Sequence, residues 1–279
     1  MAHKLQPCYE RGFLAMIIVG ERINTSRKGL EPAVKSRDAA FIQAEAESQL
    51  KAGSTYIDVN CGTLLGDEPE ALSWLVRTVQ EKTDAALCID SPNPAALAAA
   101  LKFHKGKALI NSISGESGRY EPVVSLIQEY KASVVALAMD DAGMPSTVKD
   151  RLAAADRLIT RLTKDGVAVE DIYIDPLIQP ISTDGTQAMA VFETISTIMK
   201  AYPGIHTICG LSNVSFGLPG RGLLNRSFVI MCITAGLDAV ICDPLNTEMI
   251  KAIYAAEALS GRDEFCMEYI DAFRAGRLA

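Results

Sequence analysis

Eight short apolar runs recur along this chain, and each stops on a polar residue at the same relative place. They read MIIVGERIN (Met16 to Asn24), TYIDVN (Thr55 to Asn60), ALCIDS (Ala86 to Ser91), ALINSI (Ala108 to Ile113), SVVALAMD (Ser133 to Asp140), IYIDP (Ile172 to Pro176), TICGLSN (Thr207 to Asn213) and AVICDP (Ala239 to Pro244). Their length and β-branched content are those of strands buried on both faces. Stretches with helical apolar spacing lie between them, such as PAALAAALKFH (Pro94 to His104) and RLAAADRLITRLTKDG (Arg151 to Gly166). The alternation predicts a parallel sheet, and eight units in 279 residues predict an α/β fold, a closed (β/α)8 TIM barrel. No linker breaks the pattern, so residues 16–279 read as one barrel domain behind a short extension over residues 1–15.

In such a barrel the strand C-termini converge on one mouth, where active sites are built. The run ends Asn24, Asp58, Asn60, Asp90, Asn111, Asp140, Asp175, Asn213 and Asp243 then form a ring of carboxylates and amides. Such a ring suits a neutral, flat ligand rich in hydrogen-bonding groups better than a bare phosphate. Asp90, followed by Ser91 and Pro92, also reads as an N-cap of the next helix. Asp175 has Pro176 fixing the turn behind it, and Asn111 comes from the strand next to that of Asp90. Together the three match a ring that presents N–H donors along one edge and a carbonyl beside them. Asp140 and Asp243 read as caps of the helices that follow them.

Composition removes several alternatives. A net charge of -7 without a basic patch argues against nucleic acid. No apolar run approaches the ~20 residues that span a bilayer, and MAHKLQPCYERGFLA lacks a signal-peptide core, so a cytoplasmic location is expected. The seven cysteines form no Cys-x-x-Cys pair, and His3, His104 and His206 avoid the mouth-side strand ends, which leaves little for a zinc site or a Ser-His-Asp triad. Asp90, Asp175 and Asp243 offer oxygens to a hard cation, but no Asp-x-Asp or Glu-x-Asp pair clusters them, so no metal is expected.

The loop GLSNVSFGLPGRGLLNRSF (Gly210 to Phe228) resembles, together with GERIN (Gly20 to Asn24), IDVN (Ile57 to Asn60), CIDS (Cys88 to Ser91), LINS (Leu109 to Ser112) and YIDPLI (Tyr173 to Ile178), a known set of motifs. They are those of the methyltetrahydrofolate:corrinoid protein methyltransferases, a branch of the pterin-binding barrels. The resemblance runs from about Met16 to the C-terminus with the motifs in family order. It implies that Asp90, Asn111 and Asp175 hold the pterin edge and that Asn213 lies beside pterin N5. Gly210 and Ser212 would line the same wall, and Arg221 would contact the ring or the p-aminobenzoate side. Here the spacer FGLPG (Phe216 to Gly220) is richer in glycine than the family pattern. Glu21, Asn24, Asp58 and Asn60 are expected to support these residues.

The implied reaction moves a methyl group between N5 of 5-methyltetrahydrofolate and the cobalt(I) of a corrinoid carried by a partner protein, with 5-methyltetrahydrofolate and tetrahydrofolate as the substrate pair. A methyl on a tertiary amine is a poor electrophile unless N5 gains a proton or a strong hydrogen bond. An asparagine amide that answers charge only as it develops accelerates the step rather than merely binding. The resemblance also implies a homodimer. Two other readings compete. Dihydropteroate synthases share the barrel and the Asp and Asn positions, but they carry a Ser-Arg-Lys element where this chain reads Leu211, Ser212, Asn213, Val214, Ser215. A non-catalytic folate-binding module would need the ring-edge residues and have no use for Asn213.

Overall fold

A computed structural model describes residues 16–278. The expected extension over residues 1–15 lies outside the described residues. Eight strands, β1 (Ile17–Asn24), β2 (Tyr56–Asn60), β3 (Ala86–Asp90), β4 (Leu109–Ile113), β5 (Ser133–Leu137), β6 (Ile172–Asp175), β7 (His206–Gly210) and β8 (Ala239–Cys242), pair in parallel and in chain order. β8 closes on β1 through Ile17 with Ala239 and Val19 with Ile241, so the fold is the (β/α)8 TIM barrel that the eight runs predict.

Ten α-helices lie among the described residues: α1 (Leu30–Lys35), α2 (Ala39–Lys51), α3 (Glu68–Lys82), α4 (Pro94–Leu101), α5 (Tyr120–Tyr130), α6 (Val148–Lys164), α7 (Gln187–Ala201), α8 (Arg221–Ala235), α9 (Thr247–Leu259) and α10 (Met267–Arg274). Their starts are chemically marked. The side chains of Asp38, Asn93 and Asn246 accept backbone N–H bonds at the N-termini of α2, α4 and α9, and Thr147 with Asp150 forms a capping box on α6. Asp90 is therefore not the cap of α4. Asp140 and Asp243 are not caps either: each folds back on its own loop, accepting from the N–H of Ala142 and of Leu245.

Two strands end earlier than their apolar runs. β5 stops at Leu137, opposite Asp175, the last residue of β6, and one more bond from the Ala138 N–H to the Asp175 carbonyl (2.9 Å) ends the pairing. β7 stops at Gly210, opposite Ile241, and Leu211–Ser215 turns as a short 3-10 helix over the mouth.

Alternation along each strand divides the core. Side chains such as Ile57, Val59, Leu87, Ile89, Ile110, Val134 and Ile174 face outward against the helices. Ile17, Val19, Cys88, Leu109, Val135, Tyr173, Ile208 and Ala239 face inward and fill the barrel floor. At the N-terminal end of the barrel, His206 is buried and stacks on Tyr173, and its Nδ1 meets Asp238 Oδ2 at 2.7 Å.

β1 departs from regular register. Gly20 pairs with Ile57 and Ile23 with Val59, so Glu21 and Arg22 together oppose the single residue Asp58. Glu21, two residues after Val19, keeps the inward phase, and the bulge lets Ile23 join Arg22 on the outer side, where Arg22 meets Glu45 of α2 (2.8 Å) and Asp243 (2.9 Å). Gly20 makes the close approach possible. A Cβ there would lie 2.4 Å from Gln49 Oε1 and 2.7 Å from Ser54 Oγ, and that Gln49 oxygen already accepts the Arg22 N–H at 3.1 Å. Moving Gln49 aside would break the bond that holds the bulge. Gly20→Ala is expected to lose about 1–3 kcal/mol, the usual range for overpacking, read as a lower denaturant midpoint with unchanged slope. An unchanged midpoint would mean that the Gln49 contact is soft.

Candidate functional site at the barrel mouth

Above the apolar floor the inward positions become polar. Continuing inward from Tyr56, β2 presents Asp58 and then Asn60. Cross-strand register sets Asn60 beside Asp90 and Asp90 beside Asn111, so the three occupy one layer across β2, β3 and β4. On the far side Leu137 pairs with Asp175, which brings a carboxyl from β6 toward the same opening. The barrel thus gathers Asp58, Asn60, Asp90, Asn111 and Asp175 from four strands, with Glu21 from the β1 bulge.

Hydrogen bonds orient two of these groups. Asn60 Nδ2 donates to Asp90 Oδ2 at 2.8 Å while its Oδ1 accepts the Gly62 N–H at 3.0 Å, which settles the amide's orientation. Behind Asp90, Ser91 Oγ donates to the buried Glu68 of α3 at 2.6 Å. Asp175 Oδ1 accepts the Leu177 N–H at 2.8 Å, leaving its other oxygen for the mouth. Asn24 bends back on its own turn, accepting from Ser26 N and Oγ at 2.9 and 2.7 Å.

Burial raises the acids by more than their neighbours offset. Asp90 is pushed up to about 6 by burial, against the opposing pull of the Asn60 bond and of Arg119. Asp175 also rises to about 6, against its Leu177 bond. Glu21 reaches about 7, driven by burial and opposed by Arg27. Asp58, 2 % exposed, is held well above the ordinary carboxyl range by burial and then by the charge of Asp90. Its Oδ1 finds no hydrogen-bond partner among the described residues.

Across the opening, β7 ends on Gly210, whose extended backbone would suit any residue and whose added Cβ would meet nothing within 4 Å. The space in front of it is open. The 3-10 turn Leu211–Ser215 buries Leu211, Val214 and Ser215 and leaves Ser212 and Asn213 exposed. The Asn213 amide has no partner among the described residues. Arg221, first residue of α8, holds this turn by donating from Nη2 to Ser212 O at 2.6 Å and from Nε to Ser215 Oγ at 3.0 Å. Two further run ends stand outside the ring. Asp140 pairs with Arg157 of α6 at 2.5 Å, and Asp243 binds Arg22 and Arg27 on the rim.

A neutral heterocycle with two or three N–H groups and a carbonyl on one edge would satisfy this arrangement, because it brings donors to acids that lack them. Among the described residues no group of three or more His, Cys, Asp or Glu side chains is placed to hold a metal ion. Sequence reasoning missed Glu68 and Arg119 behind Asp90, because their bonds to the residues that follow Asp90 span 23 to 28 positions.

A family model described as pterin binding enzyme matches residues 20–243. The chain is 37 % identical over 265 residues to a methylcorrinoid:tetrahydrofolate methyltransferase of Eubacterium limosum, covering 94 % of this chain and 98 % of that one. It is 31 % identical over 241 residues to methionine synthase of Mycobacterium tuberculosis, covering 81 % of this chain and 20 % of that longer one. Among solved structures, a dihydropteroate synthase from Coxiella burnetii in complex with pteroic acid superposes with a TM-score of 0.69 at 15 % identity, over 88 % of this chain and 93 % of the other, which is a likeness of fold.

The raised acids carry a stability consequence. Glu21 holds its proton in the folded chain up to about pH 7 but releases it near the ordinary carboxyl value of 4.5 when unfolded. Between those values the native state binds the extra proton, so its contribution falls as pH rises. Glu21→Gln is therefore expected to flatten the loss of thermal stability between pH 5 and pH 8, measured as the unfolding midpoint at each pH. Parallel curves for the two proteins would remove Glu21 from the titrating set.

Proposed function

This chain belongs to the pterin-binding enzymes, and from that membership we propose that it is a methyltransferase acting between 5-methyltetrahydrofolate and a corrinoid carried by a partner protein. The observation that carries the proposal is the pairing of two unlike walls. Asp90 and Asn111 on β3 and β4 offer free hydrogen-bonding capacity from one side of the mouth, and on the other stand Asp175 of β6 and, beside it, the open end of β7 at Gly210, followed by the exposed and unpartnered Asn213.

In this reading Asp90, Asn111 and Asp175 bind the amino, N–H and carbonyl edge of the pterin. Gly210 and Ser212 form the wall along it, and Arg221, whose Nη1 is unpartnered among the described residues, reaches the p-aminobenzoate side. Asn60 supports Asp90 directly, while Asp58, Glu21 and Asn24 complete the polar layer around it. Asn213 acts at N5. Its side chain carries both an acceptor and a donor, so rotation lets it take the N5 proton's hydrogen bond or offer one to the bare nitrogen. A hydrogen bond that strengthens only as charge changes at N5 lowers the barrier without tightening the ground state.

The partner's corrinoid supplies the cobalt that gives or takes the methyl group, and this chain's contribution is to fix N5 and its proton in line with the open mouth. The Eubacterium limosum relative is a methylcorrinoid:tetrahydrofolate methyltransferase, which supports a methylcorrinoid as the donor and tetrahydrofolate as the acceptor here. The seventh loop contains no lysine, and the Eubacterium limosum relative, 37 % identical over 94 % of this chain, is a methyltransferase, which favours this reading over a dihydropteroate synthase. No helix among the described residues is long and apolar enough to cross a membrane. A cytoplasmic location and a homodimer complete the proposal. The apolar side chains exposed at Leu259, Phe265, Met267 and Phe273 near the C-terminus support an assembly.

The test mixes the protein with methyltetrahydrofolate and free cob(I)alamin under anaerobic conditions and follows cobalamin absorbance. Protein-dependent formation of methylcobalamin is expected, and folate binding with no transfer to any corrinoid, free or protein-borne, would favour the non-catalytic module. Asn213→Ala is expected to slow transfer by about 10²- to 10³-fold, the scale of losing one preorganised hydrogen-bonding group, with folate affinity within about threefold. Equal losses in both would make Asn213 a binding residue. Asp175→Asn replaces an acceptor with a donor facing ring N–H groups and is expected to weaken folate binding by at least about tenfold. Unchanged affinity by calorimetric titration would remove Asp175 from the ring edge.

A further inference from the structure

Most arginines with side-chain bonds in this barrel pair with acids. Arg22, Arg27, Arg37, Arg157, Arg161 and Arg274 each meet a carboxylate. Arg119 and Arg151 do not, and what they bind instead is backbone immediately behind the ring-facing residues.

Arg119, the residue just before α5, donates from Nη1 to Pro92 O at 2.9 Å and from Nη2 to Ser112 O at 3.0 Å and Ser91 O at 3.4 Å. Ser91 and Pro92 follow Asp90, and Ser112 follows Asn111. One planar guanidinium therefore joins the loops that leave β3 and β4, at the two residues proposed to share one edge of the ring. Its charge also acts on Asp90, favouring the ionised carboxyl.

Arg151, in the first turn of α6, is 0 % exposed. Its Nε donates to Pro176 O at 2.9 Å, and its Nη2 to Leu177 O at 3.2 Å and Gln187 Oε1 at 2.6 Å. Its Nη1 reaches Ser146 O at 3.3 Å. Pro176 and Leu177 form the turn in which Asp175 accepts its backbone bond, and Leu177 is held at a φ of 60°, a conformation that a leucine adopts only when its surroundings impose it. A fully buried cation without a carboxylate is costly. A packed apolar residue would serve stability better, so its retention needs another reason. Arg221, on Ser212 and Ser215 around Asn213, repeats the pattern at the third wall.

We propose that Arg119 and Arg151 are positioning residues for the folate ring, Arg119 fixing Asp90 and Asn111 relative to each other and Arg151 fixing the turn that aims Asp175. The inference rests on the folate reading of the mouth. The fork matters as well as the charge: a lysine keeps the cation but cannot bridge two carbonyls in one plane.

The experiment is a pair of double-mutant cycles read by calorimetric titration of methyltetrahydrofolate into the full chain. Arg119→Lys and Arg151→Lys are each expected to weaken binding by about tenfold. Combined with Asp90→Asn or Asp175→Asn respectively, each is expected to add less than about twofold to the loss from the aspartate variant alone, because a clamp has nothing left to aim. Arg262→Lys is the comparison, since Arg262 binds the carbonyls of Leu237 and Ile233 at the opposite end of the barrel. It is expected to lower the unfolding midpoint and leave folate affinity unchanged. Losses that multiply in both cycles, or affinity that follows the unfolding midpoint across all three lysine variants, would overturn the proposal. Should Arg151→Lys not fold, the Arg119 cycle decides alone. Wild-type protein that fails to bind methyltetrahydrofolate would instead overturn the functional reading, a result distinct from binding that is present and additive.

Discussion

Parity governs this molecule. In a closed barrel of eight parallel strands, alternate side chains point into a space only wide enough for side chains, and closure between β1 and β8 leaves no edge from which a strand could slip. Because Ile17, Val19, Cys88, Leu109, Val135, Tyr173, Ile208 and Ala239 fill the lower interior, the next inward positions on the same strands must meet at the mouth. Asp90 stands two residues after Cys88, Asn111 two after Leu109 and Asp175 two after Tyr173. A one-residue shift of any strand would send its acid or amide among the helices and its neighbour into the site. The parity is reset at two register shifts, in β1 between Gly20 and Ile23 and in β4 between Asn111 and Ile113, and Gly20 with Gln49 holds the first from the outer side.

The charge distribution follows from the same geometry. Acids on the inner wall receive amides and thiols as neighbours, while cations sit outside or behind them: Arg22 and Arg27 on the rim with Asp243, Arg119 and Arg151 behind the loops. Carboxyls kept away from direct ion pairs rise toward neutrality, as Asp90, Asp175 and Glu21 do. Such groups are poised to exchange weak solvation for bonds from a ligand's N–H groups. In the proposed function the destabilisation stored in the free mouth is recovered on folate binding, a common relation between stability and function.

Much of the architecture was legible because it depends on local pattern. The buried strands, the order of the helices and the ring of Asp90, Asn111 and Asp175 follow from period and spacing along the chain. Other features were misread where the signal was local but the partner distant. Asp140 and Asp243 look like helix caps from their positions, yet Thr147 and Asn246 take those roles, because the loops are long enough to place other residues at the helix starts. Arg151 was open to view: it falls in phase with Ala154, Ala155, Leu158, Ile159 and Leu162 on the buried stripe of α6, and a charge on such a stripe marks a group with a buried partner.

What the sequence determined by itself is which residues are inside and at what height, since both are consequences of a two-residue strand period counted from the apolar floor. The tertiary structure decided the rest. The strength of each acid, the orientation of the Asn60 amide, the bulge that turns Ile23 outward and the arginines that tie the loops all depend on groups brought together from separate strands and helices. Burial and hydrogen bonding act through space over a few ångströms, and only closure of the barrel establishes which distant residues come within that range.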